Sequence, residues 1–268
     1  MRDLSNDISL LSINSMTVKP WSLVELVDGC ARAGISAISP WRDIVQACGV
    51  ERAAQLIRAH GMTVTGLCRG GFFADKDWKS DNLRAVEEAH ILGSPALILV
   101  VGGMAPGAKD LSSSRKHIQD CIAEVLPEAR KAGVPLAIEP LHPMQVGRAA
   151  VNTLEQALDM CDALGEGVGV AVDVYHVWWD PKLQAQIARA GRRILGYHIC
   201  DWLPATRDLF NDRGMMGDGL IDLPLIRSWV ESAGYVGFQE VEIFSDLDWW
   251  KRDPDEVLTA CKERLAVS

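Results

Sequence analysis

The stretch GVGVAVDVYHVWWDP, residues 167–181, sets the reading of the whole chain. Val168, Val170 and Val172 alternate with Gly169, Ala171 and Asp173, so small and β-branched side chains occupy both faces. A strand covered on both sides by other layers reads this way. Asp173 and His176 then appear where the strand should end, followed by Trp178, Trp179 and Asp180-Pro181. Pro181 has no N–H for a ladder and suits the first turn of a helix, so the strand passes into a loop and then a helix. An acid and an imidazole at the carboxyl end of a buried parallel strand stand where α/β folds put their chemistry. Taken alone, the same residues also fit a turn cap at Asp173 and a hydrogen-bonded, half-buried His176.

Working outward, one order recurs: helix, glycine, strand. The junctions read RAG-ISAIS at 32–39, AHG-MTVTG at 59–66, LG-SPALILVV at 92–101, KAG-VPLAI at 131–138, LGEG-VGVAV at 164–172, RAGRR-ILGYHI at 189–199 and SAGYVG-FQEVEI at 232–243. Each glycine fits the position just past a helix end, where a left-handed backbone is cheap only for glycine. ISLLSINSMTV at 8–18 supplies a strand ahead of the first helix. Helical patterns fall near 22–33, 50–60, 81–92, 113–132, 153–164, 182–190, 223–233 and 255–265, with Asn152 and Glu155 resembling a capping box. Eight strand–helix units predict an α/β chain folded as a single (β/α)8 TIM barrel domain over residues 1–268. A doubly wound open sheet is the competing architecture. It requires a glycine-rich phosphate turn after the first strand, and NSMTVKPW is not one.

Composition narrows the class further. The 268 residues carry a formal net charge of −9. That argues against a nucleic-acid backbone as partner, because such sites need a positive field. Mean hydropathy is +0.05, and no run of about eighteen apolar residues exists, so a globular protein without a membrane span is expected. The start, MRDLSNDISLLSIN, lacks the basic, apolar, small-residue order of a signal peptide. Seven scattered cysteines with no CxxC argue against a disulfide framework or structural zinc, and a reducing cytoplasm is expected.

In a barrel of this kind the active site lies at the carboxyl ends of the strands. The fifth strand ends in Glu139-Pro140 with His142 beyond, the sixth in Asp173 and His176, and the seventh carries His198 with Asp201 three residues on. The eighth carries Glu240 and Glu242 on one face. The first four end in Asn14, Ser39, Arg69 and Gly102-Gly103, with far less acid. Carboxylates crowded into one mouth repel and are costly to desolvate, and a divalent cation relieves both costs. Glu139, Asp173, His198 and Glu242 offer three carboxylates and one imidazole, a set suited to one Mn2+, Mg2+ or Co2+ ion. Glu242 is nearer the strand end than Glu240, so it is the expected ligand and Glu240 a supporting partner, as is Asp201. His142 is expected to line the mouth and face substrate.

His60, His90 and His117 lie in helical patterns and read as packing or surface residues, and Cys68 and Cys200 as core residues. The long connection DWLPATRDLFNDRGMMGDGLID, 201–222, places Arg213 among Gly214, Gly217 and Gly219, where it could hold an anionic or hydroxylated substrate. Several tryptophans, among Trp21, Trp41, Trp178, Trp179, Trp202, Trp249 and Trp250, fall near the expected mouth, where an aromatic wall suits the apolar face of a sugar ring.

The run E-P at 139–140, D-x-x-H at 173–176, H-x-x-D at 198–201, R…G-D-G-x-I-D at 213–222 and G-Y-x-G…V-E-I-F at 234–244 resembles the xylose-isomerase-like TIM-barrel superfamily. Within it, the chain looks most like the sugar phosphate isomerase/epimerase group, relatives of ketose 3-epimerases and inosose isomerases. The resemblance implies a metal held by Glu139, Asp173, His198 and Glu242, with Glu139 and Glu242 doubling as the acid/base pair. It implies that His176 and Arg213 contact substrate oxygens, and that the chain forms a dimer or tetramer. The implied activity is isomerisation or epimerisation of a keto-sugar or keto-polyol through an enediolate. The same chemistry can expel a leaving group, making a dehydratase or lyase on keto-sugars, keto-inositols or 3-keto-glycosides the chief alternative. A non-catalytic metal-binding protein is a lesser one. Type IV apurinic endonucleases share the superfamily, but their extra zinc ligands are replaced here by Cys68-Arg69, Val101-Gly102-Gly103 and Arg213-Gly214-Met215.

Overall fold

The structure, a computed structural model, describes residues 3–4, 7–104 and 107–268. Of the N-terminal stretch read as lacking leader order, Met1, Arg2, Ser5 and Asn6 lie outside the described residues. The strands are β1 (Leu11–Asn14), β2 (Ala37–Ser39), β3 (Thr63–Val64), β4 (Leu67–Gly71), β5 (Leu97–Val100), β6 (Leu136–Ile138), β7 (Val168–Asp173), β8 (Ile194–Ile199), β9 (Asp201–Trp202), β10 (Arg213–Gly214) and β11 (Gln239–Val241). Nine of them form one parallel sheet in the order β3-β2-β1-β11-β8-β7-β6-β5-β4. β3 and β4 are two halves of the expected third strand. β3 pairs with β2 and β4 with β5, and a bridge between Trp41 and Cys68 spans the remaining gap. The eight expected strands therefore make a nearly closed barrel, with the third one broken at Thr65-Gly66. Ser39 Oγ donates to the Gly66 carbonyl at 3.2 Å, at the break. β9 and β10 form a separate antiparallel pair above β8.

The surrounding helices, Leu23–Ala33, Val50–Ala59, Trp78–Leu92, Leu111–Ala132, Leu154–Leu164, Leu183–Ala190, Leu223–Ser232 and Pro254–Arg264, fall within a few residues of the expected patterns. Gly34, Gly93 and Gly133 end three of them with φ of 74°, 69° and 69°. Two short helices, Arg42–Cys48 and Val174–Val177, were not expected, because so few residues give no period to read. Arg42 fixes the first of these by pairing with Glu88 at 2.5 Å and Asp81 at 2.9 Å. The expected Asn152/Glu155 box is shifted by one residue. Thr153 Oγ1 accepts from the Gln156 N–H at 3.2 Å, and Gln156 Oε1 accepts from the Asn152 N–H at 2.9 Å. The Asn152 amide instead donates to the carbonyls of Leu141 and Ala149. No helix among the described residues is long and apolar enough to cross a membrane.

The core has two shells. Between strands and helices lies a large cluster in which Leu11, Ile13, Ile38, Leu97 and Tyr197 meet Leu26, Ile57, Ile122 and Ile187, all with almost no exposure. Each such side chain contributes about 1.5–3 kcal/mol of burial. Inside the barrel the filling is small: Cys68, Ala96, Ile98, Ala137 and Ala171, with Trp41 and Leu195 against them. Above this plug the inward positions turn polar. The register sets Asp173 level with His198, His198 with Glu240, and Glu240 with Ser12.

Candidate metal centre and cavity

Inward-facing strand positions bring Glu139, Asp173, His198 and Glu242 together, each offering a ligand atom within 4.8 Å of the others'. All four are buried, with 1–4% exposure. His198 Nδ1 lies 3.0 Å from Glu139 Oε1 and 3.7 Å from Glu242 Oε2. Neither Glu139 Oε1 nor either nitrogen of His198 makes a hydrogen bond of proper geometry. Buried polar atoms are normally satisfied. Glu139 Oε1 and His198 Nδ1 face each other beside Asp173 and Glu242, and a cation would complete both, so this buried group could bind a metal ion.

Asp173 does two things at once. Its Oδ1 accepts from the Tyr175 N–H at 2.8 Å and caps the short helix, while Oδ2 takes Arg213 Nη1 at 2.9 Å. The turn-cap reading and the functional reading of this residue use different oxygens. Burial pushes its carboxyl up, but Arg213, His176 and His198 outweigh that and hold it below the ordinary range.

Glu242 sits between neutral and charged partners, with Oε1 accepting from Asn14 Nδ2 at 3.0 Å and Oε2 from Arg213 at 3.3 Å. Burial pushes its carboxyl up to about 8 despite Arg213 and His198. Glu139 is also raised by burial, against the pull of His198. Burial lowers His198, but Glu240, Glu139 and Glu242 outweigh it and raise the imidazole well above its usual value.

Glu240 lies one pleat deeper and is occupied by protein. Asn14 Nδ2 donates to its Oε1 at 2.7 Å and Thr65 Oγ1 to its Oε2 at 3.1 Å, with Ser12 bonded to Thr65 in turn. It stands 3.7 Å from His198 Nε2, on the far side of the ring from Glu139 and Glu242.

A cavity of about 220 Å³ opens over this cluster, bordered by Glu139, Glu242, His176 and Arg213 among others. His176 is buried, and burial lowers its pKa to about 3, so the ring is neutral. Its Nδ1 accepts from the His142 N–H at 3.2 Å, and its Nε2 lies 3.2 Å from Arg213. Arg213 is 2% exposed, between the rings of Tyr175 and Phe244, and its Nη1 already serves Asp173 and Glu242. It borders the cavity as an internal counter-charge.

The His142 side chain is not on the cavity wall. Its ring stacks on Trp202 at 4.8 Å and meets Trp179 edge-on, so only its backbone touches the site, through His176. Asp201 also points away. Its carboxylate accepts from the N–H groups of Trp202, Gly217, Gly219 and Ile221, which latches the 203–221 loop to the end of β8. Gly219 is required there, since a Cβ would lie 2.2 Å from the Trp202 carbonyl.

The expected tryptophan wall is mostly phenylalanine. Trp41 lines the cavity with Phe72, Phe210 and Phe244, whereas Trp178, Trp179 and Trp202 pack together with His142 and Tyr175 outside it. Sequence reasoning did not single out Asn14 or Thr65 as partners of the carboxylates, nor Arg69 and Arg148 on the wall. His117 and His90 bond backbone carbonyls and His60 pairs with Asp28, all away from the cavity.

A family model described as xylose isomerase-like TIM barrel matches residues 22–261. No protein with a curated description matches the chain. Among solved structures it is similar to a protein of Sinorhizobium meliloti 1021, at 56% identity and a TM-score of 0.94, covering 96% of this chain and 98% of that one. It is also similar to the IolI protein, determined with a zinc atom bound, at 23% identity and a TM-score of 0.81, with 95% of each chain covered. A D-psicose 3-epimerase, determined in the presence of D-fructose, aligns at 14% identity and a TM-score of 0.76 over 96% of each chain. At such identities the last two share the fold. Matched over most of its length, the chain belongs to the xylose isomerase-like TIM-barrel family.

Proposed function

We propose that the protein is a divalent-metal-dependent isomerase or epimerase of a keto-sugar or keto-polyol. The observation that carries this reading is the pair Glu139 and Glu242, two buried carboxyls bordering one cavity and both holding protons more tightly than usual. Glu139, Asp173, His198 and Glu242 would hold the ion. Three oxygens and one nitrogen suit Mn2+, Mg2+ or Co2+, and the zinc of the IolI protein belongs to the same borderline range. When bound, the cation supplies polarisation of a carbonyl and its neighbouring hydroxyl.

The chain's own residues do the proton work. One carboxylate of the pair takes a carbon-bound proton while the other returns one, at the same carbon or its neighbour. In the metal-free protein burial pushes the Glu242 carboxyl up to about 8, and a bound cation would draw it to the carboxylate form that can take a proton. Neutral His176 presents an uncharged ring to substrate oxygens, and Arg213 keeps Asp173 ionised. Phe72, Phe210, Phe244 and Trp41 exclude water and cover the apolar face of the substrate. All seven cysteines are unpaired and six are buried, which suits work in the reducing cytoplasm.

The test is deuterium uptake from D2O, followed by mass spectrometry on ketohexoses, ketopentoses, inososes and 3-keto-glycosides, with and without chelator. Chelator-sensitive uptake without loss of mass is expected. Loss of water or of an aglycone would replace this reading with elimination.

A further inference from the structure

Arg69 and Arg148 stand on the wall of the same cavity as Glu139 and Glu242. Each guanidinium lies over a phenylalanine ring, Arg69 at 3.7 Å from the centroid of Phe72 and Arg148 at 3.8 Å from that of Phe210. Among the described residues, neither guanidinium makes an ion pair or a side-chain hydrogen bond. The contrast within the site is sharp. Arg213 spends its charge on Asp173 and Glu242, and nearby Arg42 spends its own on Asp81 and Glu88. Arginine over an aromatic face keeps its N–H edge available, and that edge matches the two oxygens of a carboxylate or phosphate. Arg69 is also partly desolvated, which lowers its pKa and makes an uncompensated charge there costly.

We infer that the substrate carries an anionic group, carboxylate or phosphate, which Arg69 and Arg148 hold at the wall opposite the reacting carbons. This rests on reading the cavity as the substrate site, and it moves the anion-holding role expected of Arg213 to two other arginines. The substrate class narrows from neutral keto-sugars to keto-polyol acids or phosphorylated keto-sugars.

The experiment measures binding, which does not require turnover. Quenching of tryptophan fluorescence, to which Trp41 in the wall contributes, is titrated with matched pairs: D-fructose 6-phosphate against D-fructose, and D-glucuronate against D-glucose, with inorganic phosphate as the bare anion. At least one anionic member should bind about tenfold or more tighter than its neutral twin, the scale of a charge-assisted hydrogen bond. The preference should collapse in Arg69→Gln/Arg148→Gln, survive in part in Arg69→Lys, and weaken with salt. The phosphate and carboxylate pairs separate the two sources of charge.

Equal binding of the twins, a preference that survives the double substitution, or no binding by any anion would overturn the inference. A melting temperature within a few degrees of the parent in the double variant, expected because among the described residues each guanidinium has only a ring contact and no ion pair or hydrogen bond, excludes misfolding as the cause of a loss. Deuterium exchange on the same compounds separates the two readings. Tight anion binding without exchange defeats the isomerase and leaves this inference standing, whereas exchange confined to neutral sugars does the reverse.

Discussion

The two sides of the barrel interior handle polarity in opposite ways. On the side of β1 to β3, Ser12, Asn14, Ser39 and Thr65 are neutral, with Ser12 bonded to Thr65 and the others to Glu240 or to backbone. On the side of β6 to β11, Glu139, Asp173, His198 and Glu242 are ionisable and crowded, with orphan atoms among them. The neutral side fixes carboxylates in place and the charged side offers them. Asn14 joins the two, because its one amide nitrogen serves both Glu240 and Glu242. An amide donor orients both buried carboxylates without adding charge to the cluster.

The comparison breaks most visibly at Glu139, which has no hydrogen bond at Oε1 to compensate its loss. Glu139→Gln is expected to lower deuterium exchange by about 10²–10⁴-fold while leaving the circular-dichroism spectrum unchanged. Exchange at the wild-type rate would remove it as the base. His198→Ala should weaken cation binding by more than the roughly 10–100-fold typical of losing an outer partner, read by titration against a chelating dye. Glu240→Gln should fall within that 10–100-fold range and Glu242→Gln beyond it. The reverse order would exchange their roles.

Asn14→Ala tests the joint between the two sides. It leaves two buried carboxylates short of a donor and should cost about 1–3 kcal/mol in urea unfolding of the metal-free protein. The pH dependence has a definite sign. Glu242, Glu139 and His198 all hold protons more tightly folded than unfolded. For Glu242 the stability so gained is present below 4.5 and fades as pH rises toward about 8. Metal-free protein should therefore melt lower at pH 8.5 than at pH 6, and added Mn2+ should raise the melting temperature more at pH 8.5. The smallest effect is expected at His142, whose ring lies off the cavity: His142→Ala should change exchange less than threefold.

The barrel was legible because its punctuation is chemical. Left-handed glycines such as Gly34 and Gly133 close helices, and charges stand out at the ends of apolar strands. The four charged cluster positions could be picked from sequence for that reason. Asn14 and Thr65 could not, since a neutral polar residue in a strand looks the same whether it faces a carboxylate or water. The break in the third strand left no mark either, because Thr65-Gly66 is ordinary strand or turn sequence. Arg213 borders the cavity, but its pairing with Asp173 and Glu242 depends on side-chain geometry 40 and 29 residues distant in sequence. Arg69 was visible as a strand end, but the ring contacts that mark Arg69 and Arg148 out, with Phe72 and Phe210, appear only in the structure.

The Asp201 latch bears on the shape of the cavity. One carboxylate gathers the N–H of Trp202 and those of Gly217, Gly219 and Ile221, so the segment between them leaves and returns at a single point. Residues 203–212 then form a loop closed at its base and anchored further out, where the Leu209 carbonyl accepts from Gln145 and Tyr175 and the Asn211 carbonyl from the Asp246 N–H. Phe210 rides on that loop into the cavity wall, so a change in the loop's length or sequence would reshape the wall while the β9–β10 pair keeps the Arg213 counter-charge in register with Asp173 and Glu242.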